Sequence, residues 1–166
     1  MTRSKAADLL EQLSRIVPGI AGYQEREKTR NSDKAIREKA AAAVARCREK
    51  ISAAIADLSR TGSMADMKSI GSLDRLSTRM EKLEDELRFA SYGYTGFFHE
   101  TGINEDDLAR IYEYDLELLN EAKNLEKLVP GQDASQEGGA PWLADLEKSL
   151  ETVNRSFRDR KKVFEG

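Results

Sequence analysis

Few residues of this 166-residue chain are of the types that carry metal or nucleophilic chemistry. Cys47 is the only cysteine and His99 is the only histidine. A nucleophilic cysteine needs a base beside it, and zinc or di-iron sites need several imidazole or thiolate ligands. HExxH, CxxC and EF-hand spacings do not occur in the sequence. We therefore expect no metal, no cofactor and no cysteine catalysis, and we interpret Cys47 as a small buried hydrophobic residue.

Two further patterns could hold a ligand, but neither is specific. Glu105, Asp106 and Asp107 could bind a hard cation. Acids clustered at the start of a helix are, however, typical of a solvated first turn that complements the helix dipole. The sequence GYTG at 93–96 has two glycines at a spacing found in phosphate loops, without the lysine of such a loop.

A stronger candidate is a polar cluster that would form if the second and third predicted helices pair antiparallel. The turn near residue 62 would return the chain beside residues 35–45. The aromatic segment at 91–103 would then meet the basic start of the second helix, and the fourth helix would bring back Asp115. The predicted cluster consists of Arg26, Arg30, Arg37, Tyr92, Tyr94, His99, Tyr112 and Asp115.

This cluster has two interpretations. In the structural one, Asp115 sets the helix register by pairing with one arginine, and the aromatic segment plugs the end of a bundle. In the functional one, the aromatic segment covers a small polar pocket. The arginines would bind an anion there, and Asp115 or His99 would transfer a proton.

These residues must be positioned by helices, because apolar residues recur at helical spacing through most of the chain. Charged residues make up 34% of the sequence and only 3 residues are proline. We predict an all-α fold: a single helical domain over 1–166, a bundle dominated by a long antiparallel helical hairpin with heptad-type packing. The predicted helices cover 3–17, 23–60, 64–90, 104–129 and 141–164, with an aromatic and glycine-rich loop at 91–103 and a flexible linker at 130–140.

The apolar seams of these helices contain polar exceptions. The seam of the second helix repeats every eleven residues and would fall on Thr29 and Asp33 in the first turns. The heptad seams of the fourth and fifth helices contain Asp115 and Arg160 at positions that usually hold apolar residues. The sequence does not decide whether Gly71 breaks the third helix.

Charge is distributed unevenly along the chain. Residues 26–50 carry nine Lys or Arg and four Asp or Glu, whereas residues 81–151 carry eighteen acids and six bases. Pairing of basic and acidic helices within one fold explains this pattern, and a net charge of −3 does not favour nucleic acid. No window resembles a membrane-spanning helix of roughly 20 apolar residues or an export signal. We expect a cytoplasmic protein without an integral membrane segment.

The function that we favour at this point is that of a non-enzymatic interaction or scaffold protein, which binds a protein partner or self-associates. The first alternative is a small-ligand-binding protein or enzyme with a polar pocket under the aromatic loop. The second is peripheral binding to a membrane surface. That binding would use the amphipathic first helix or the basic segment that carries Phe157 and Phe164.

Overall fold

The computed structural model describes residues 2–23, 26–90, 104–130 and 140–165, apart from the side chains of residues 26, 27, 61 and 165. The described residues form helices and no strand, which confirms the predicted all-α class. The five helices are α1 (Lys5–Ile16), α2 (Arg26–Thr61), α3 (Met64–Phe89), α4 (Glu105–Leu128) and α5 (Leu143–Glu165).

Side-chain caps define where three of the helices begin. The side chains of Ser4, Ser63 and Asn104 accept hydrogen bonds from the backbone N–H groups three residues further on, which have no partner inside the helix. Gly62, between α2 and α3, has a φ of +66°, a conformation that glycine adopts without a steric penalty. Gly71 lies inside an unbroken α3.

Helices α2 and α3 form the predicted antiparallel hairpin. Arg37 donates a hydrogen bond to the carbonyl oxygen of Leu87 at 2.7 Å, and Arg48 pairs with Glu84 at 2.8 Å. The later residue of α2 thus meets the earlier residue of α3, so the helices run in opposite directions.

The other neighbouring pairs set the order of helices around the bundle. Helices α2 and α4 run parallel, because the backbone N–H of Tyr23 contacts Tyr112 and the thiol of Cys47 contacts the carbonyl of Leu125. Helices α3 and α5 also run parallel, and Arg79 pairs with Glu151 between them. Along the described backbone, α2 and α5 do not approach each other, and neither do α3 and α4, so these pairs lie on the diagonals.

All five helices contribute to one apolar core. The apolar seam residues of α3, from Leu73 to Leu87, are buried, and α1 packs its apolar face against α4. None of the described helices is long and apolar enough to cross a bilayer. The bundle places the starts of α2 and α4 and the ends of α3 and α5 at the same end, where the polar seam residues also lie.

Candidate functional site

Three of the seam positions that break the apolar pattern meet in the interior of the bundle. They are Asp33 on α2, Asp115 on α4 and Arg160 on α5. The side chains of Asp115 and Arg160 have no exposed surface, and that of Asp33 is 1% exposed. Each occupies a position that its helix turns towards the core, so the helical period that buries the apolar residues also buries these charges.

Arg160 joins the two carboxylates. Its Nε donates to Oδ1 of Asp115 at 2.6 Å, and its Nη1 lies 2.7 Å from Oδ1 of Asp33. Because α5 and α2 are on a diagonal, the long arginine side chain crosses the interior to reach Asp33. The rigid guanidinium fork suits such a role, since it donates several hydrogen bonds in one plane.

Two tyrosines and a phenylalanine surround these charges. The hydroxyl of Tyr23 donates to Oδ2 of Asp115 at 2.7 Å and accepts from Nη2 of Arg160 at 3.3 Å. The ring of Tyr23 lies 5.6 Å from the rings of both Tyr112 and Phe164, measured between centroids. The guanidinium carbon of Arg160 lies 5.1 Å from the centroid of Phe164, which adds a cation–π contact.

Arg37 extends this network to the end of α3. Its Nε contacts Oδ2 of Asp33 at 3.1 Å, and its Nη1 donates to the carbonyl oxygens of Leu87 and Arg88 at 2.7 and 3.3 Å. Carbonyls in the last turn of a helix lack partners within the helix. Arg37 therefore supplies these hydrogen bonds from the neighbouring helix.

The polar first turns of α2 bind the chain that precedes them. Ser32 donates to the carbonyl oxygen of Gly22 at 2.8 Å, and Thr29 donates to that of Tyr23 at 3.1 Å. Both side chains are buried. Where α2 lacks an apolar stripe, its inward face therefore fixes the segment that positions Tyr23.

We call the set of Tyr23, Asp33, Arg37, Asp115 and Arg160 the buried network. It holds two carboxylates and two guanidinium groups, so its charges balance. Burial raises the pKa of Asp115, and Arg160 and the hydrogen bond from Tyr23 partly offset that effect. Burial, together with the charge of Asp115, raises the pKa of Tyr23 well above its ordinary value, so Tyr23 donates as a neutral phenol.

This geometry leaves little room for catalysis by Asp115. A proton-transfer group must come within hydrogen-bond reach of a substrate. Both carboxylate oxygens of Asp115 already bind Arg160 or Tyr23, and the side chain is fully buried. Elsewhere in the described residues, no cluster of three or more His, Cys, Asp or Glu could hold a metal ion. Burial also raises the pKa of the Cys47 thiol to about 12, so this thiol stays protonated at neutral pH.

The structure brings together only part of the predicted cluster. Asp115 and Arg37 belong to the buried network, and Tyr112 packs beside Tyr23. The partner of Asp115 was expected among the arginines of α2, but the structure pairs it with Arg160 on α5. Arg30 is exposed. Tyr92, Tyr94, His99 and the side chain of Arg26 lie outside the described residues.

Three residues of the buried network, Tyr23, Asp33 and Arg160, are absent from the predicted cluster. Asp33 and Arg160 could have been found, because each stands at a seam position that the period reserves for an apolar side chain. Tyr23 follows a short Gly-rich turn, where no periodicity indicates which side chains turn inward.

A second feature is an open groove between α3 and α5. It encloses about 540 Å³ beside Asp85, Glu86, Phe89, Phe157, Arg158 and Lys161, and continues into a neighbouring space of about 340 Å³. The two spaces share Glu86, Phe157 and Arg158, so we treat them as one surface, the α3–α5 groove. The side chains of Leu83 and Phe157 form a largely buried apolar floor.

Several side chains along this groove are exposed, and three of its charged groups form no ion pair with a described residue. Phe89 is 77% exposed, which is unusual for a phenylalanine at the edge of an apolar floor. Asp85, Glu86 and Arg158 form no ion pair with any described residue, although they line the same groove.

Comparisons of this chain with protein-family models, with curated proteins and with solved structures give no match.

Proposed function

We propose that this protein is a non-enzymatic interaction protein whose docking surface is the α3–α5 groove. The groove itself is the observation that supports the proposal. Its apolar floor, the exposed ring of Phe89 and the exposed charges on both walls match the way in which proteins bind an amphipathic helix of a partner. Apolar groups at the centre of such a surface exclude water, and charges at its rim select the partner.

The buried network supports a structural interpretation of the polar cluster rather than a ligand pocket. Its charges balance, and its side chains are no more than 8% exposed. A ligand pocket would instead need polar atoms that face an opening. The network therefore serves to hold α2, α3, α4 and α5 in register at one end of the bundle.

Binding to a membrane surface receives less support from the packing. An amphipathic helix binds a lipid surface through a free apolar face. The apolar face of α1 instead packs against the core, with Leu13 fully buried. Phe157 and Phe164, which the sequence offered as apolar anchors, are also buried.

Site-specific photo-crosslinking in cells that make the protein tests this proposal. A photoreactive phenylalanine analogue placed at Phe89 should give a discrete crosslinked product, which mass spectrometry identifies. The same analogue at Met67 is the matched control, since Met67 is also exposed on α3 but lies outside the groove. The substitution Arg158→Glu should weaken the product formed at position 89.

The outcomes separate the proposal from its alternatives. A discrete product from position 89, absent from position 67 and weakened by Arg158→Glu, supports docking in the groove. Crosslinking of equal strength and pattern from both positions, or none from position 89, would overturn it.

A further inference from the structure

We infer that the occupant of the α3–α5 groove is a second copy of this chain, in a parallel two-fold dimer. This inference rests on the proposed docking function of the groove and names its partner. It follows from the placement of charge and of exposed apolar surface on α3 and α5.

The first step is that the two walls of the groove carry opposite charge at the same height. Asp85 and Glu86 lie on α3, and Arg158 lies on α5 beside the same space. These three side chains are exposed and form no ion pair with any described residue. The acids on α3 of one copy can therefore pair with Arg158 on α5 of another copy.

The second step is a symmetry argument. Because α3 and α5 run parallel, a two-fold axis along the groove places α3 of one copy against α5 of the other. Asp85 and Glu86 of each copy then face Arg158 of the other copy, once at each half of the interface. A two-fold axis across the groove would place acid against acid, which electrostatic repulsion disfavours. Only the first arrangement is self-complementary, as a closed dimer requires.

The third step concerns the apolar groups. The rotation that pairs the walls also carries the exposed ring of Phe89 towards the α5 wall of the other copy, where Phe157 forms the floor. Two such contacts would form, one from each copy. A dimer would thus bury the large exposed apolar side chain that borders the groove.

Charge reversal with sedimentation equilibrium tests the dimer. Wild-type protein should show a concentration-dependent monomer–dimer equilibrium. In the dimer, Glu86→Lys places a lysine opposite Arg158 of the other copy, and Arg158→Glu places a glutamate opposite Glu86 of the other copy. Each change should raise the dissociation constant at least about tenfold, since like charges then face each other twice.

The two variants should complement each other. An equimolar mixture of Glu86→Lys and Arg158→Glu should form a heterodimer. In it, each residue at position 86 faces a residue of opposite charge at position 158 of the other copy. The double variant Glu86→Lys/Arg158→Glu should again form a homodimer. Lys39→Glu and Glu117→Lys are matched control reversals at exposed positions on α2 and α4, and they should leave the dissociation constant unchanged. Circular dichroism melting curves check that each variant is folded.

Different results would overturn different statements. A wild-type protein that stays monomeric at every concentration tested would overturn the dimer, whereas a different protein crosslinked through Phe89 would still support docking in the groove. A dimer that resists both reversals would show that another surface mediates self-association. Reversals that weaken the dimer but do not complement on mixing would overturn the parallel arrangement.

Discussion

Arg160 binds two carboxylates in an interior where all three groups have lost their water. Such pairs stabilise a fold only weakly in comparison with apolar residues, because desolvation offsets most of the attraction. Removing a single partner is costly, however, since it leaves an uncompensated buried charge. The stability of the fold therefore depends on the balance between the positive and negative charges of the buried network more than on the strength of one hydrogen bond.

The substitution Asp115→Leu tests this balance. It leaves Arg160 with Asp33 as its one carboxylate partner in the network and removes the acceptor of the Tyr23 hydroxyl. We expect the free energy of unfolding to fall by about 3–5 kcal/mol, the usual cost of breaking a buried pair from one side. Urea denaturation followed by circular dichroism measures this change.

A double variant provides the control for that measurement. Asp115→Leu combined with Arg160→Met removes one charge of each sign, and Asp33 keeps Arg37 as its partner. We expect the double variant to be more stable than Asp115→Leu alone, with a positive coupling energy in the double-mutant cycle. Destabilisation that is simply additive would contradict coupling between the two residues.

The burial of Cys47 predicts that the free energy of unfolding depends on pH. Its pKa rises from 9.0 to about 12 on folding, so between these values the native state retains a proton that the unfolded state has lost. Stability from this group is present below pH 9 and declines as pH rises, with a limiting slope of about 1.4 kcal/mol per pH unit. The difference in unfolding free energy between wild type and Cys47→Ala, measured from pH 8 to 10.5, should decrease accordingly. A difference that stays constant with pH would exclude this burial effect.

Asp33, Asp115 and Arg160 were visible in the sequence as polar residues at seam positions, but their pairing was not. Periodicity shows that Asp115 and Arg160 face the core, because it fixes the side of a helix to which each residue belongs. It does not fix which helix lies opposite or at what height. For that reason Asp115 was assigned a partner on α2, and Arg160, 45 residues away in sequence, was left out.

At the scale of elements, the sequence predicts the helices more accurately than it predicts the pairing of single residues. The predicted helix boundaries agree with the observed ones to within three residues, since local signals such as caps, glycines and prolines determine them. The exception is the burial of the first turns of α2. Their seam positions are polar and form no apolar stripe, yet Thr29, Ser32 and Asp33 are buried and hydrogen-bonded. Such burial depends on acceptors outside the helix, which periodicity cannot reveal.

The cap at Ser63 gives a prediction at this scale. The Ser63 hydroxyl accepts a hydrogen bond from the backbone N–H of Asp66 at 3.1 Å. Ser63→Ala should lower the free energy of unfolding by about 0.5–2 kcal/mol, whereas Ser63→Asp should retain most of it because aspartate is also a good cap. Urea denaturation of both variants measures the difference. Equal destabilisation by Ala and Asp would argue against the cap as the cause.

At the scale of the whole molecule, the order of helices decides which surfaces remain open. Sequence periodicity predicted a bundle, but it could not show that α2 lies beside α4 or that α3 lies beside α5. The α3–α5 pair leaves an open groove, and it joins two helices that are distant in sequence. The candidate docking surface could therefore be recognised only from the structure.

The buried network also bears on how the chain folds as it is synthesised. Asp33 and Asp115 leave the ribosome before Arg160, since synthesis proceeds from the amino end. Until α5 is complete, the two acids have no Arg160, and burying both beside Arg37 alone would leave an excess negative charge. Closure of this end of the bundle is therefore a late event, and the nascent chain must keep these carboxylates hydrated until then.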